Sequence, residues 1–363
     1  MGTRTNTARW VESRKRWQVN VQKDGTRKTF TSSIPGRNGQ REANAKADAW
    51  LDQDIQPNSS RVEQLYEEFL EKVQATTSKS NYRPMVGRWK NKIQPVIGNC
   101  RITKLNDGHL QDVIDRAVSD GYSRKSAQNL RADLRAFLKW CRQHKYTTLS
   151  GEYLSIPKSA TVGQRQILQP RHLTILFNVD TTVLHGRRQT DDLVNAYRLA
   201  VLTGLRPGEL HGLQWADVDG NKLCLRRAIN SYGEYTRGKN DNALRAVPLS
   251  PIAQQVLEKQ RQLVDTHPDA PVFPITCLQT FLSRWKAYCR ANGLPQIRAY
   301  DMRHTFVSMA ASLPEGHLKQ LVGHSASMDT YGVYKHEVDG EDALITAELE
   351  KIFRNYIPLD MLG

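Results

Sequence analysis

Side chains suited to chemistry on a phosphodiester lie at the ends of separate segments of this 363-residue chain. Arg206 stands in Thr203-Gly-Leu-Arg-Pro-Gly-Glu-Leu210, and Lys239 in Gly238-Lys-Asn240. Tyr300 and Arg303 belong to Tyr300-Asp-Met-Arg-His304, and His324 follows Gly323, with Tyr331 and Tyr334 beyond it. Two guanidiniums can bracket the non-bridging oxygens of one phosphate, and their planar forks fit it better than ammonium groups do. Arg206 sits between a helix stop at Gly204 and Pro207, which pre-forms the next first turn, beside backbone N–H groups that attract anions. The plainer alternative is an arginine salt-bridged to Glu209 within the turn. Lys239 lies in a polar turn between strands. Such lysines are usually just solvated, but a hairpin tip can carry an ammonium to a leaving oxygen; Arg237 and Arg245 are the competing cations. Asp301 is the predicted N-cap of a helix from Met302 to Leu313, stopped by Pro314, with Arg303 in its first turn and His304 capping or packing. An imidazole at the helix end, His324, could donate to a phosphoryl oxygen, though a histidine there is more often structural. A phenol, with an ordinary pKa of about 10, becomes a nucleophile where nearby cations ease its ionisation. Tyr331 and Tyr334 compete for that role; each could equally be an amphipathic core residue.

These groups need elements to hold them. Leu193, Ala196, Tyr197, Ala200 and Val201 stripe a helix that ends at Gly204. Leu223 and Leu225 alternate in a strand, and Ala243 to Leu249 form the second arm of a hairpin. Ser250-Pro251 opens another helix, and Leu278, Phe281, Leu282, Trp285, Tyr288 and Cys289 stripe one that Gly293 ends. Ile345, Leu349, Ile352 and Phe353 share a face of a last helix. Upstream, Val62, Leu65, Tyr66, Phe69, Leu70 and Val73 mark one helix, and Tyr82, Met85, Val86, Trp89 and Ile93 a second. A short helix begins near Asn106. A longer one from Ser123 buries Ala127, Leu130, Leu134, Phe137, Leu138 and Cys141, which makes a four-helix cluster. Its other face carries Arg124, Lys125, Arg131, Arg135, Lys139 and Arg142, with Asp133 the only acid, and is predicted to face phosphates rather than solvent alone.

The first 41 residues hold ten Lys and Arg against two acids. Arg16 to Gln22 and Arg27 to Thr31 read as strands around the turn Lys23-Asp24-Gly25, Ala8 to Ser13 as a third. A helix from about Gln40 to Asp54 places Ala43, Ala47 and Trp50 on one face. Such a basic ribbon could enter a major groove through Arg16, Gln18 and Arg27. The expected fold is multidomain α+β: a small three-stranded β plus helix domain (1–57), a helical domain (58–150), a linker (151–166), and a mainly α domain with a small antiparallel sheet (167–363). A net charge of +15 implies a polyanionic partner, although an RNA-binding protein would share it. The five cysteines are scattered, with no C-x-x-C, which argues against a disulfide framework or a zinc site and fits a reducing cytoplasm. No apolar leader or bilayer-length run occurs, so a soluble, nucleoid-associated protein without membrane contact is expected.

Jointly, in order and spacing, the motifs from Ile167 to Ile357 resemble those of the tyrosine recombinases, the phage-integrase family. That family presents an arginine in T-G-x-R-x-x-E-L, a hairpin lysine, H-x-x-R, a G-H pair and a tyrosine often followed by x-H. The resemblance implies a site-specific integrase that cleaves and rejoins DNA through a 3′-phosphotyrosyl link to integrate and excise a mobile element. It implies that Arg206 and Arg303 stabilise the charged transition state, Lys239 protonates the 5′-oxygen, and His324 holds the scissile phosphate. Residues 58–150 resemble a core-binding domain, where Lys125, Arg131 and Arg135 would meet DNA, and 1–57 an arm-binding domain. No cofactor, ATP or metal is implied. The implied partners are double-stranded attachment sites, a homotetramer on paired DNA, an excisionase and a DNA-bending host factor. The last helix would dock on a neighbouring protomer or on its own domain. Alternatives are a Xer-like resolvase, a type IB topoisomerase, or a non-catalytic DNA-binding regulator. The extra basic domain argues against the resolvase, and retention of all five chemical types against the regulator. Two positions depart from the pattern. Tyr300 replaces the first histidine of H-x-x-R, and a phenol at neutral pH is a poor base but a sound hydrogen-bond partner. The nucleophile usually lies nine residues after the G-H histidine, whereas Tyr331 lies seven and Tyr334 ten after it. The ending Tyr334-Lys-His336 favours Tyr334, with Tyr331 the alternative.

Overall fold

The computed structural model describes residues 6–23, 26–51, 60–163, 165–236, 244–323, 340–355 and 357, and it divides into two compact units between 163 and 164. In the first unit, β1 (Arg9–Val11), β2 (Arg16–Lys23) and β3 (Thr26–Ser32) form an antiparallel sheet in that order. Strand alternation turns Val19 and Val21 onto α1 (Gly36–Leu51), whose Ala43, Ala47 and Leu51 complete a small core. The alanines let the helix lie close to the sheet.

A separate core is built by α2 (Val62–Thr76), α3 (Lys79–Arg88), α4 (Gln94–Ile97), α5 (Asp107–Ser119) and α6 (Arg124–Gln143). α5 and α6 start where expected, and the side chains of Asn106 and Ser123 cap them. A wide turn over Trp89–Ile93 separates α3 from α4 and lays Trp89 on Tyr66, with ring centroids 4.0 Å apart. Asp133 does not share the cationic face of α6. It is buried and takes two hydrogen bonds from Arg88, at 2.5 and 3.1 Å.

Residues 151–163, most of the stretch 151–166 expected as a linker, are bonded to α6. Arg135 donates to the carbonyls of Gly151 (2.9 Å) and Glu152 (3.1 Å), Arg131 to that of Leu154 (3.3 Å), and the Arg124 amide to Thr161 (2.8 Å). Leu154 and Ala160 are buried. Side-chain periodicity could not reveal this attachment, because the acceptors are main-chain carbonyls.

The second unit begins with α7 (Pro170–Asn178) and the hairpin β4 (Thr181–Leu184)–β5 (Arg187–Thr190), followed by α8 (Val194–Thr203) and α9 (Pro207–Gly212). β6 (Val218–Asp219), β7 (Lys222–Leu225) and β10 (Arg245–Pro248) make a sheet of order β10-β7-β6, with the small pair β8 (Ala228–Ile229) and β9 (Tyr235–Thr236) between β7 and β10 in the chain. Then come α10 (Pro251–Arg261), α11 (Leu278–Ala291), α12 (Asp301–Met309), α13 (Glu315–Val322) and α14 (Glu341–Arg354). Every residue of α8 is buried, so the helix is central rather than one-faced as its stripe suggests. Ile345, Leu349, Ile352 and Phe353 of α14 enter this unit's own core, and Glu350 accepts from the Ile252 amide (2.9 Å) at the start of α10. The last helix therefore packs on its own unit.

α12 is shorter than expected, ending at Met309. Asp301 does not cap it: Tyr300 takes the N-cap position, while the Asp301 carboxylate accepts from the amide and guanidinium of Arg298. The close seat of α12 depends on Gly204, which ends α8 with φ +67°. A Cβ there would stand 2.5 Å from Cδ1 of Phe306 on α12. A left-handed backbone costs an L residue roughly 1–2 kcal/mol before any clash, so Gly204→Ala is expected to lower unfolding free energy by about 2 kcal/mol or more. Calorimetry of the full chain checks this, and an unchanged midpoint for the second unit's transition would contradict it.

Candidate active site

Glu209 is the third residue of α9 and reaches back to the helix start, where its Oε2 accepts from the Arg206 amide (2.8 Å). Its Oε1 accepts from Nη1 of Arg206 (2.6 Å), so the salt bridge of the plainer reading exists. It does not end the role of that arginine. Nη2 of Arg206 donates to the carbonyl of Gly323 (3.2 Å), far along the chain, and the side chain keeps a quarter of its surface exposed. The capping carboxylate, not a phosphate, satisfies the first amide of this short helix. The anion-binding capacity lies in the guanidinium.

Arg245, at the start of β10, closes on the same carboxylate. Nη1 donates to Oε1 (3.0 Å), Nη2 to Oε2 (3.1 Å), and Nε to the Leu321 carbonyl (2.8 Å). In the sequence Arg245 stands out only as a competitor of Lys239. The signal for more is the strand alternation: Arg245 shares the inward side of β10 with buried Val247. Burial works to raise the Glu209 carboxyl, but the hydrogen bond and charge of Arg245, with the amide and charge of Arg206, hold it below the usual carboxylate range.

Arg303, 2% exposed, donates to the Gly204 carbonyl (3.0 Å) and to that of Val322. Leu321, Val322 and Gly323 thus each present a carbonyl to a different arginine, at the glycine-capped end of α13. These are the unpaired acceptors at the negative end of a helix dipole. Burial, then the charge of Arg206, push the Arg303 guanidinium down to about 10, so it remains charged at neutral pH. Among the described residues, three guanidiniums share this pocket with one carboxylate, an excess of positive charge.

Tyr300 is 41% exposed and meets the edge of His304, with ring centroids 5.5 Å apart. Nε2 of His304 lies 2.9 Å from Nη1 of Arg165. A guanidinium has no acceptor, so Nε2 accepts and the imidazole is neutral with its proton on Nδ1. Burial, then the Arg165 charge, keep its pKa below the ordinary value.

Lys239, His324, Tyr331 and Tyr334 lie outside the described residues. Of the DNA-contact candidates, Arg16, Gln18 and Arg27 share with Arg9 the face of the sheet opposite α1: Arg9 pairs with Gln18, and Gln22 with Arg27. Lys125 is exposed on α6. Arg131 and Arg135, the other two candidates on α6, donate to the carbonyls of residues 151–154. Among the described residues no group of three or more His, Cys, Asp or Glu side chains converges as a metal site, and no helix is long and apolar enough to cross a membrane.

Residues 181–341 match the phage integrase family, and residues 62–145 match the N-terminal SAM-like domain of phage integrases. The ICEBs1 integrase of Bacillus subtilis (strain 168) is 28% identical in an alignment of 163 positions that covers 39% of this chain and 44% of that protein. This chain therefore spans less than half the length of that relative. The Tn1549 transposon integrase, solved in complex with transposon right end DNA, shares the fold with a TM-score of 0.61 at 19% identity, covering 80% of this chain and 99% of that one. A lambda integrase dimer bound to a COC′ core site gives 0.57 at 14% identity, with 95% and 96% covered, so its likeness takes in the amino-terminal sheet as well. With both family matches in chain order and the paired arginines at the end of α13, the chain belongs to the phage integrase family of tyrosine recombinases.

Proposed function

We propose that this chain is a site-specific recombinase that cuts and rejoins DNA for a mobile element. The observation that carries the reading is the convergence of Arg206 and Arg303 on the last carbonyls of α13, one residue before His324. A phosphate there would meet two guanidiniums already in place, in a pocket with an excess of positive charge. Such groups stabilise the charge that grows on the non-bridging oxygens as phosphorus becomes five-coordinate.

In the proposed step the phenolic oxygen of Tyr334 attacks the scissile phosphorus. The bond to the 5′-oxygen breaks, Lys239 gives that oxygen its proton, and a 3′-phosphotyrosyl link retains the bond energy for rejoining. His324 donates to a phosphoryl oxygen. Tyr300, beside the electropositive Arg303, supplies a hydrogen bond where a histidine would also offer a base. The attacking proton then leaves by another route, to solvent or His324.

The DNA itself is proposed to be held in two further places. Lys125 would meet the backbone from α6. The open face of the amino-terminal sheet, carrying Arg9, Arg16 and Arg27 with Gln18, has the cations for phosphates and the amide for a base edge. That basic face supports an integrase over a resolvase.

A nicked core-site duplex that loses a short fragment on cleavage would trap the covalent adduct. Tyr334→Phe is expected to bind this DNA normally and form no adduct. Phosphate found on Tyr331 by peptide mapping of the parent adduct would overturn the assignment. Tyr300→Phe removes one hydrogen bond and is expected to slow adduct formation by about tenfold, while Tyr300→His matches or exceeds the parent. Complete loss in a folded Tyr300→Phe protein would mean that the phenol performs obligatory proton chemistry.

A further inference from the structure

Arg245 belongs to the outer rank of the same pocket. Its side chain is 7% exposed, and it grips both oxygens of Glu209 with parallel hydrogen bonds, a fork-on-fork pair that a lysine cannot make. The Glu209 carboxylate thereby accepts four hydrogen bonds, two from Arg245 and two from Arg206. Four is about the capacity of a carboxylate, so its plane is fixed rather than free to turn. Nε of Arg245 meanwhile holds the Leu321 carbonyl, the first of the three acceptors at the end of α13. One side chain therefore ties the carboxylate that aims Arg206 to the helix end that Arg206 and Arg303 also touch.

We propose that Arg245 is a positioning residue for DNA cleavage: through Glu209 it sets the Arg206 guanidinium against the end of α13 before the phosphate arrives. The inference rests on the reading of Arg206 as a phosphate ligand. Arg245 itself need not touch DNA, and its contribution passes through Arg206. A lysine at 245 would keep the charge and lose the fork, leaving the carboxylate able to rotate and Arg206 to wander.

The test compares Arg245→Lys and Arg245→Gln with the parent in single-turnover adduct formation on the trapping duplex. Thermal midpoints and DNA affinity are measured alongside. Arg245→Lys is expected to cleave about tenfold more slowly while DNA affinity stays within about threefold. The second substrate carries a neutral methylphosphonate at the scissile position, which removes the charge that Arg206 meets. On it the deficit is expected to shrink to about twofold. Loss of general integrity would slow both substrates alike. Cleavage of the phosphate duplex at the parental rate by Arg245→Lys overturns the proposal, and so does an equal deficit on both substrates. If Arg245→Gln does not fold, Arg245→Lys still decides the matter. The parent serves as the separate control: no adduct from it sinks the proposed function, whereas parent and variant reacting equally fast sink only this inference.

Discussion

Guanidiniums brought together away from water repel one another, and three of them share the pocket at the end of α13. Two negative elements make that tolerable. The buried Glu209 carboxylate is kept ionised by the cations it serves, and the three carbonyls at the helix end supply the negative pole of α13. Remove the carboxylate and, among the described residues, the three guanidiniums would keep only neutral carbonyl partners. The glycines at 204 and 323 matter for the same reason. Gly204 lets α12 approach closely enough for Arg303 to reach across, and Gly323 ends α13 with its carbonyls open.

Among the described residues the balance of charge is incomplete: one carboxylate and some partial charges do not neutralise three cations. Arg303 shows the consequence, since burial and its neighbours already push its guanidinium down to about 10. An arriving phosphate would relieve that repulsion, and a five-coordinate phosphorus, carrying more negative charge, would relieve it further. Binding that strengthens toward the transition state is what accelerates a reaction. Arg206 keeps a quarter of its side chain exposed while Arg303 is buried, so the two differ in how accessible they are to an arriving phosphate.

Much of this arrangement is legible in the amino-acid sequence. Arg206 and Arg303 follow from turn and helix-start chemistry, and the apolar stripes locate α2, α6, α8, α11 and α14. The features that escape share a physical character. Arg245 is a cation at an inward strand position, and polar-for-apolar exceptions in an alternating pattern are easily read as noise. Asp301 suits an N-cap by type, yet Arg298 three residues earlier offers it a stronger, charged partner. Arg131 and Arg135 bind main-chain carbonyls, which no side-chain pattern records. Glu209 reads in the sequence as the plainer alternative to a phosphate site, although its salt bridge leaves Nη2 of Arg206 to reach the end of α13.

The central claim is that the Glu209-centred arginine cluster receives the scissile phosphate. The most direct measurement is a crystal structure of the chain with nicked attachment-site DNA and orthovanadate, whose five-coordinate form mimics the transition state. Vanadate oxygens bonded to the guanidiniums of Arg206 and Arg303, with the Glu209–Arg245 fork intact behind them, are the predicted result. Vanadate bound away from both arginines, or a fork opened so that Arg245 itself becomes the ligand, would contradict the claim.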